Sequence, residues 1–289
     1  DLLRSRGLGD VYKRQNKKRA DPNSMPGSCD RSRKAAVARS ISPSFESALS
    51  GFFGTRKPSR EDAEGSHASY VAALRAHGTE VTVLPALREH PDCCFTEDTA
   101  VIVGDLAVIP NMGHPTREGE QGAVIEHLSG QYEISRMPEG TKLDGGDVVF
   151  SDDTYLIGIS TRTSREGAEY LATKVKEAGY LAELIPVPAS TLHLTTVMST
   201  PRPGTIIAAE GHFSKEVLGP LAEELLWVPN RETYAANTIG YSDDRAIISA
   251  GFPVTREVML DAGFSITSVD MDGIMQADGS LSCLSVFTR

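Results

Sequence analysis

Four short segments of the chain gather side chains that could do chemistry: Pro91-Asp92-Cys93-Cys94-Phe95-Thr96-Glu97-Asp98, Leu143-Asp144-Gly145-Gly146-Asp147, Leu192-His193-Leu194 and Leu281-Ser282-Cys283-Leu284-Ser285. Each reads as a turn or a strand end, where sites are usually built. A thiol attacks as its thiolate, and with a pKa of ~8.5 it is mostly protonated at neutral pH. It needs a base or a cation close by, and the base needs a carboxylate to orient it. Cys283, His193 and Asp144 supply those three types. Each also has an ordinary structural reading. A cysteine ahead of a strand is often a small core residue, and a histidine between leucines is often a satisfied core histidine. Asp-Gly-Gly-Asp is often only a turn, since glycine permits positive φ and aspartate caps it. Residue types and spacing leave both readings open.

Other chemistries find less support. The four cysteines stand at 29, 93, 94 and 283, with no CxxC pair. A zinc site built on Cys283 and His193 therefore lacks ligand spacing. Adjacent Cys93 and Cys94 read as packing residues, and such sparse cysteine use fits a reducing cytoplasm. Neither GxxxxGK nor GxGxxG occurs, so a nucleotide site has no local support. Net charge is −10. An acidic body gives no electrostatic footprint for nucleic acid, and it suits a cationic small substrate only weakly. No stretch reaches the ~18 apolar residues of a membrane span.

The elements that must position these residues alternate along the chain. Strands are expected at 35–39, 80–84, 182–187, 195–199, 205–208, 227–228, 265–269 and 283–287. Hairpins are expected at 99–103 with 106–110, 147–150 with 155–159, and 237–241 with 246–249. Helices are expected at 60–77, 117–128, 164–178, 215–226 and 255–262, with Ser164 as a cap and Gly78 and Gly179 as stops. Each unit of roughly 50–60 residues reads as two hairpin strands, a helix and a further strand. That period suggests a propeller-like arrangement of repeats, although a generic α/β or α+β domain fits the same pattern.

Residues 1–30 are basic and polar without apolar periodicity and are expected to be a disordered leader. The stretch 1–15 resembles sequence translated from cloning or adapter DNA, and Met25 is an expected true start. The basic opening has no apolar h-region, so a secretory signal is not expected. Residues 31–289 are expected to form a single catalytic domain.

Quoted as they stand, FTEDTA (95–100), LDGGDV (143–148), ISTRTS (159–164), LHL (192–194) and LSCLSV (281–286) resemble the dimethylarginine dimethylaminohydrolase family. That family belongs to a larger guanidino-modifying group, which also holds arginine deiminases and amidinotransferases. Five motifs in the correct order carry the likeness from about Ala35 to the C-terminus. The resemblance implies a five-bladed α/β propeller of ββαβ units, a class named pentein. It implies conversion of methylated arginines to citrulline and dimethylamine or methylamine, through a covalent thiouronium, with no cofactor and no metal.

By the same resemblance, Cys283 is the nucleophile, His193 the general acid/base, and Asp144 the group that orients it. Asp92 and Asp98 grip the substrate guanidinium, with Glu97 beside them. Arg117 and Arg162 bind the α-carboxylate, while the main-chain carbonyls of Leu49 and Ala277 meet the α-amino group. Leu284 follows the nucleophile where some relatives have a second cysteine, so behaviour attributed to a cysteine pair does not transfer. A small-molecule substrate, a cytoplasmic location and a monomer or homodimer are expected, without nucleic acid or membrane partners. Two other readings stay open: a deiminase-like hydrolase of unmethylated guanidines, and a catalytically silent arginine-binding protein on the same scaffold.

Overall fold

The computed structural model describes residues 31–289. The leader expected over 1–30 lies outside the described residues. In chain order the elements are β1 (Ala35–Arg39), α1 (Arg60–Ala76) and β2 (Glu80–Leu84), then β3 (Val101–Val103), β4 (Leu106–Ile109), α2 (Gly122–Leu128) and β5 (Glu133–Arg136). There follow β6 (Val148–Ser151), β7 (Thr154–Ile159), α3 (Arg165–Glu177), β8 (Leu181–Pro186), β9 (Met198–Arg202), β10 (Thr205–Ala209), α4 (Lys215–Leu218) and β11 (Glu224–Val228). Last come β12 (Ile239–Gly240), β13 (Arg245–Ser249), α5 (Pro253–Asp261), β14 (Ser265–Val269), α6 (Asp272–Met275) and β15 (Ser285–Thr288).

These strands form five three-stranded sheets of one design. A hairpin pairs two strands antiparallel, and a helix then carries the chain to a third strand parallel to the second. The first sheet is closed by the chain end, because β15 pairs antiparallel with β1 while β2 pairs parallel on the other side. This is a five-bladed α/β propeller, as the resemblance implied. Four hairpins turn at Gly104, Asp152, Gly204 and Asp244, all with φ between +58° and +72°. Glycine adopts that left-handed region freely and aspartate with a short side-chain bond.

The helices follow from their caps and apolar spacing. Ser164 accepts from Gly167 N at 3.1 Å, and Ala168, Leu171, Ala172 and Val175 form the buried face of α3 before Gly179 ends it at φ +89°. In α1, Ala63, Tyr70, Val71 and Leu74 are buried at helical spacing.

Two expected helices are shorter than the sequence pattern gave. The stretch expected to be helical from 117 to 128 begins as a 3-10 turn, Pro115–Arg117, and only Gly122–Leu128 is α-helical. Gly119 at φ +97° interrupts it, and Arg117 is drawn inward to a buried partner. The helix expected over 215–226 stops at Leu218, because Gly219 and Pro220 open a new 3-10 turn and residues 224–226 join β11. Strand β5 and helix α6 were not anticipated. Thr195, Thr196 and Cys283 fall in turns ahead of their strands rather than within them.

Those turns organise the site. The strands β3, β6, β9, β12 and β15, one in each sheet, are each preceded by a 3-10 turn: Thr96–Thr99, Gly145–Asp147, Leu194–Thr196, Asn230–Ala236 and Ser282–Leu284. Those five strands line one cavity of about 120 Å³, to whose lining Glu97 and Ser282 also contribute. No helix among the described residues is long and apolar enough to cross a membrane.

Candidate active site

His193 caps the turn Leu194–Thr196, with its own N–H donated to Thr196 Oγ1 at 3.1 Å. Asp147 holds that turn in place. Its Oδ1 accepts from Leu194 N at 3.0 Å, and its Oδ2 accepts from the Ser160 and Thr163 hydroxyls at 2.6 Å each. Burial pushes Asp147 up to about 6 despite those bonds and the nearby His193 charge. One carboxylate thus ties the end of β7 to the loop that presents the histidine.

Asp144 meets the ring itself. His193 Nε2–H donates to Asp144 Oδ2 at 3.1 Å, and Gly113 N donates to Oδ1 at 2.7 Å. The acceptor is a carboxylate, so Nε2 must carry the proton. Nδ1 faces Asp98 Oδ1 at 4.0 Å. Burial opposes a charged ring here, but Asp98, the Asp144 bond and Asp147 outweigh it and lift His193 to about 9. Burial would likewise raise Asp144, yet the bond to His193 and its charge carry it down to about 2. The resting pair is imidazolium with carboxylate.

Cys283 lies in the turn Ser282–Leu284, with Sγ 3.3 Å from Ser280 Oγ. Burial, then Glu97 and Asp98 in their ionised forms, push its thiol well above the ordinary range. The resting site therefore holds a neutral thiol beside carboxylates. A cation placed among them would reverse the electrostatics that keep the thiol protonated.

The two arginines expected at the substrate carboxylate are not equivalent. Arg117 is 2% exposed. Its Nε and one Nη2–H go to Glu120, its other Nη2–H to Phe95 O at 2.8 Å, and one Nη1–H to Asp98. Of the five donors of a guanidinium, that leaves one Nη1–H. Among the described residues the Arg162 guanidinium makes a single long contact, Nη1 to Asp144 Oδ2 at 3.4 Å, and Arg162 is half-buried.

One cavity is lined by Leu49, Asp92, Asp98, Arg117, Arg162, His193, Ala277 and Cys283. Two of the expected site residues stand outside it. Asp144 is fully buried behind His193 and Arg162. Glu97 instead lines the cavity between the sheets, its Oε2 accepting from Ser282 Oγ at 3.0 Å. Burial first, then Asp98, raise Glu97 to about 8, so it is largely protonated at neutral pH. Asp92 accepts from Leu49 N at 3.0 Å, and burial raises its carboxyl. Asp98, Asp144 and His193 bring ligand-type atoms within 4.8 Å of one another. Arg117 and Arg162 already bond these two carboxylates, so guanidinium groups supply their countercharge.

Sequence reasoning passed over Asp147, Gly146 and Glu120. The first two lay within the quoted Asp-Gly-Gly-Asp turn. A methyl at Gly146 would stand 2.6 Å from His193 Nδ1, so only glycine allows the ring its place. Glu120 is fully buried, and among the described residues its carboxylate is satisfied only by Arg117. Nothing in its sequence surroundings marks it.

With this geometry in place, comparison with known proteins is decisive. The family model described as N,N dimethylarginine dimethylhydrolase, eukaryotic, matches residues 54–217, more than half of the chain. A dimethylarginine dimethylaminohydrolase of Streptomyces coelicolor is 30% identical over 89% of this chain and 97% of its own. The chain belongs to the dimethylarginine dimethylaminohydrolase family. An uncharacterized protein of Aeropyrum pernix is similar too, 34% identical over 82% of this chain and 87% of its own. Among solved structures, a family member from Pseudomonas aeruginosa, a Cys-to-Ser variant complexed with citrulline, aligns with a TM-score of 0.81. It is 28% identical and covers 87% of this chain and 98% of that one. As a member of this family, the chain is a guanidino-modifying hydrolase.

Proposed function

We propose that the chain hydrolyses Nω-methylated arginines to citrulline, releasing dimethylamine or methylamine, with Cys283 as nucleophile and His193 as acid/base. One observation carries this reading: Cys283, His193, Asp92 and Asp98 converge on a single cavity that also exposes Arg162. A guanidinium is a poor electrophile because its charge is delocalised. Asp92 and Asp98 would hold it in line for attack, with Glu97 behind them. Arg162, with its uncommitted donors, would take the α-carboxylate, helped by the remaining Nη1–H of Arg117. The carbonyls of Leu49 and Ala277 would meet the α-amino group.

The arriving cation offsets the negative charges that keep the thiol neutral, so Cys283 releases its proton to solvent as substrate binds, His193 keeping its own. The thiolate forms a C–S bond to the guanidinium carbon. His193 donates its proton to the departing amine as the C–N bond breaks, leaving a thiouronium on Cys283. Water, deprotonated by His193, then adds to the same carbon. The C–S bond breaks as the added hydroxyl gives up its proton to solvent, yielding citrulline and the thiolate. Asp144 keeps the ring oriented throughout.

The test is to incubate the protein with asymmetric dimethylarginine, monomethylarginine and arginine, then quantify citrulline and the released amine. Citrulline with dimethylamine, lost in Cys283→Ser, is the expected result. Ammonia from arginine alone would replace this reading with a deiminase. Binding without turnover of any of the three would make the chain a silent arginine-binding protein.

A further inference from the structure

The segment between Leu49, which lines the cavity, and α1 runs without regular secondary structure. Its main-chain donors are held by side chains from elsewhere. Four consecutive N–H groups, from Gly51 to Gly54, converge on the Asp278 carboxylate at 2.5–3.1 Å. Thr55 and Arg56 N–H donate to Gln276 Oε1 at 2.9 and 3.1 Å, and the Ser50 hydroxyl donates to Gln276 O at 2.8 Å. The Phe53 ring packs edge-on against Tyr234 at 5.2 Å, and Tyr234 in turn donates to Gly279 O. Asp278 itself is 7% exposed and sits at φ +59°, between two residues that line the cavity, Ala277 and Gly279. The approach is tight, since a methyl at Gly54 would stand 2.5 Å from Gln276 O.

We propose that Asp278 is a positioning residue, latching residues 50–54 as a strap and thereby setting the carbonyls of Leu49 and Ala277. An anion among converging N–H groups makes charge-assisted bonds, stronger than neutral ones. Without it, a strap lacking ladder bonds is free to sample other conformations. The strap begins at Leu49 and its latch adjoins Ala277, so one carboxylate governs both carbonyls. This rests on the reading above, in which those carbonyls receive the α-amino group.

The test is Asp278→Asn, which keeps the shape but turns an amide NH₂ onto donors that need an acceptor. The segment that continues from the strap to α1 carries one bond open to trypsin, Arg56–Lys57, because Lys57 is followed by Pro58. Without ligand, cleavage there is expected to quicken about tenfold, as the strap opens more often. KM for dimethylarginine should rise about tenfold with kcat within about twofold, while KM for the dimethylated guanidino acid that lacks the α-amino group, dimethylguanidinovalerate, should change less. Ser50→Ala, which removes one tie and buries no unpaired charge, should move cleavage in the same direction by less. Unchanged cleavage in folded Asp278→Asn overturns the latch. So does an equal loss on both substrates. Should Asp278→Asn fail to fold, unchanged cleavage in Ser50→Ala overturns it instead. A wild type inactive on every methylarginine would sink the functional reading, and the ligand-free cleavage result would still decide the latch.

Discussion

Asp144 and His193 share a proton-bearing contact of 3.1 Å between Oδ2 and Nε2, buried from solvent and backed by the Gly113 amide. Asp144→Asn keeps the shape but removes the charge. His193, now about 9, should titrate lower, towards the ordinary ~6.5. Turnover should fall by about 10²–10⁴-fold while KM moves little, as expected for a lost orienting partner. Histidine-ring NMR titration and steady-state kinetics check both. A ring that still titrates near its wild-type value would remove Asp144 from this role. If binding collapsed while turnover of bound substrate held, Asp144 would belong to the substrate grip.

Glu97 makes stability fall as pH rises. Its folded value is about 8, above the ~4.3 of an unperturbed glutamate. Between those values the native state holds a proton that the unfolded chain has released, so raising pH favours unfolding. His193 acts in the same direction: its raised value contributes stability that is full below ~6.5 and is lost as pH climbs through about 9. Glu97→Gln removes only the first effect and keeps an acceptor for Ser282. Its melting temperature relative to wild type should therefore increase steadily from pH 5 to pH 9. A difference that stays flat across that range would show that Glu97 is ionised in the resting protein.

The arginines should separate in kind. Arg162→Ala should raise KM for dimethylarginine about ten- to a hundredfold, the loss of a charged contact of roughly 1.5–3 kcal/mol, with little change on agmatine. Arg117→Ala leaves Asp98 and Glu120 buried without their countercharge. Breaking such a cluster costs about 3–5 kcal/mol, so its main signature should be a lowered melting temperature. Arg117→Lys should not restore it, since an ammonium cannot reach Glu120, Asp98 and Phe95 O in one plane. Arg117→Ala with a wild-type melting curve and only a raised KM would make the pair equivalent after all.

Much of this was legible in the chain, for identifiable reasons. Strand β1, helices α1 and α3 and the hairpin turn at Gly104 carry local signals: apolar spacing, caps and glycines at positive φ. The helix once expected across Lys215–Leu226 has the right composition, but Gly219-Pro220 break it and pairing with β10 claims Glu224–Val228. The reactive residues were visible as types, because Cys283 and His193 stand alone in apolar surroundings. Their electrostatics were not. Asp147 and Asp278 act only through partners distant in sequence or through buried amides, and no local pattern records such a partner. Glu120 pairs with Arg117 only three residues away, but nothing local tells that this pair is buried.

Gly146 separates positioning of the histidine from integrity of the fold. Its φ is not in the left-handed region, so alanine meets no backbone strain there. The added methyl would stand 2.6 Å from His193 Nδ1, 2.9 Å from its Cγ and 3.0 Å from Asp98 Oδ1. Contacts that close force the ring aside, and overpacking of this kind costs about 1–3 kcal/mol. A displacement approaching 1 Å in an acid/base group lowers turnover by about a hundredfold. Gly146→Ala should therefore fold, melt a few degrees lower and lose kcat far more than KM. Neighbouring Gly145 makes the contrast, because its methyl would meet the Glu97 carbonyl oxygen at 2.1 Å, a main-chain atom with nowhere to move. Gly145→Ala should fail mainly in folding yield. Kinetics and melting curves on both variants decide the matter, and a Gly146→Ala enzyme with wild-type kcat would mean that the ring position seen here is not the one that turns over substrate.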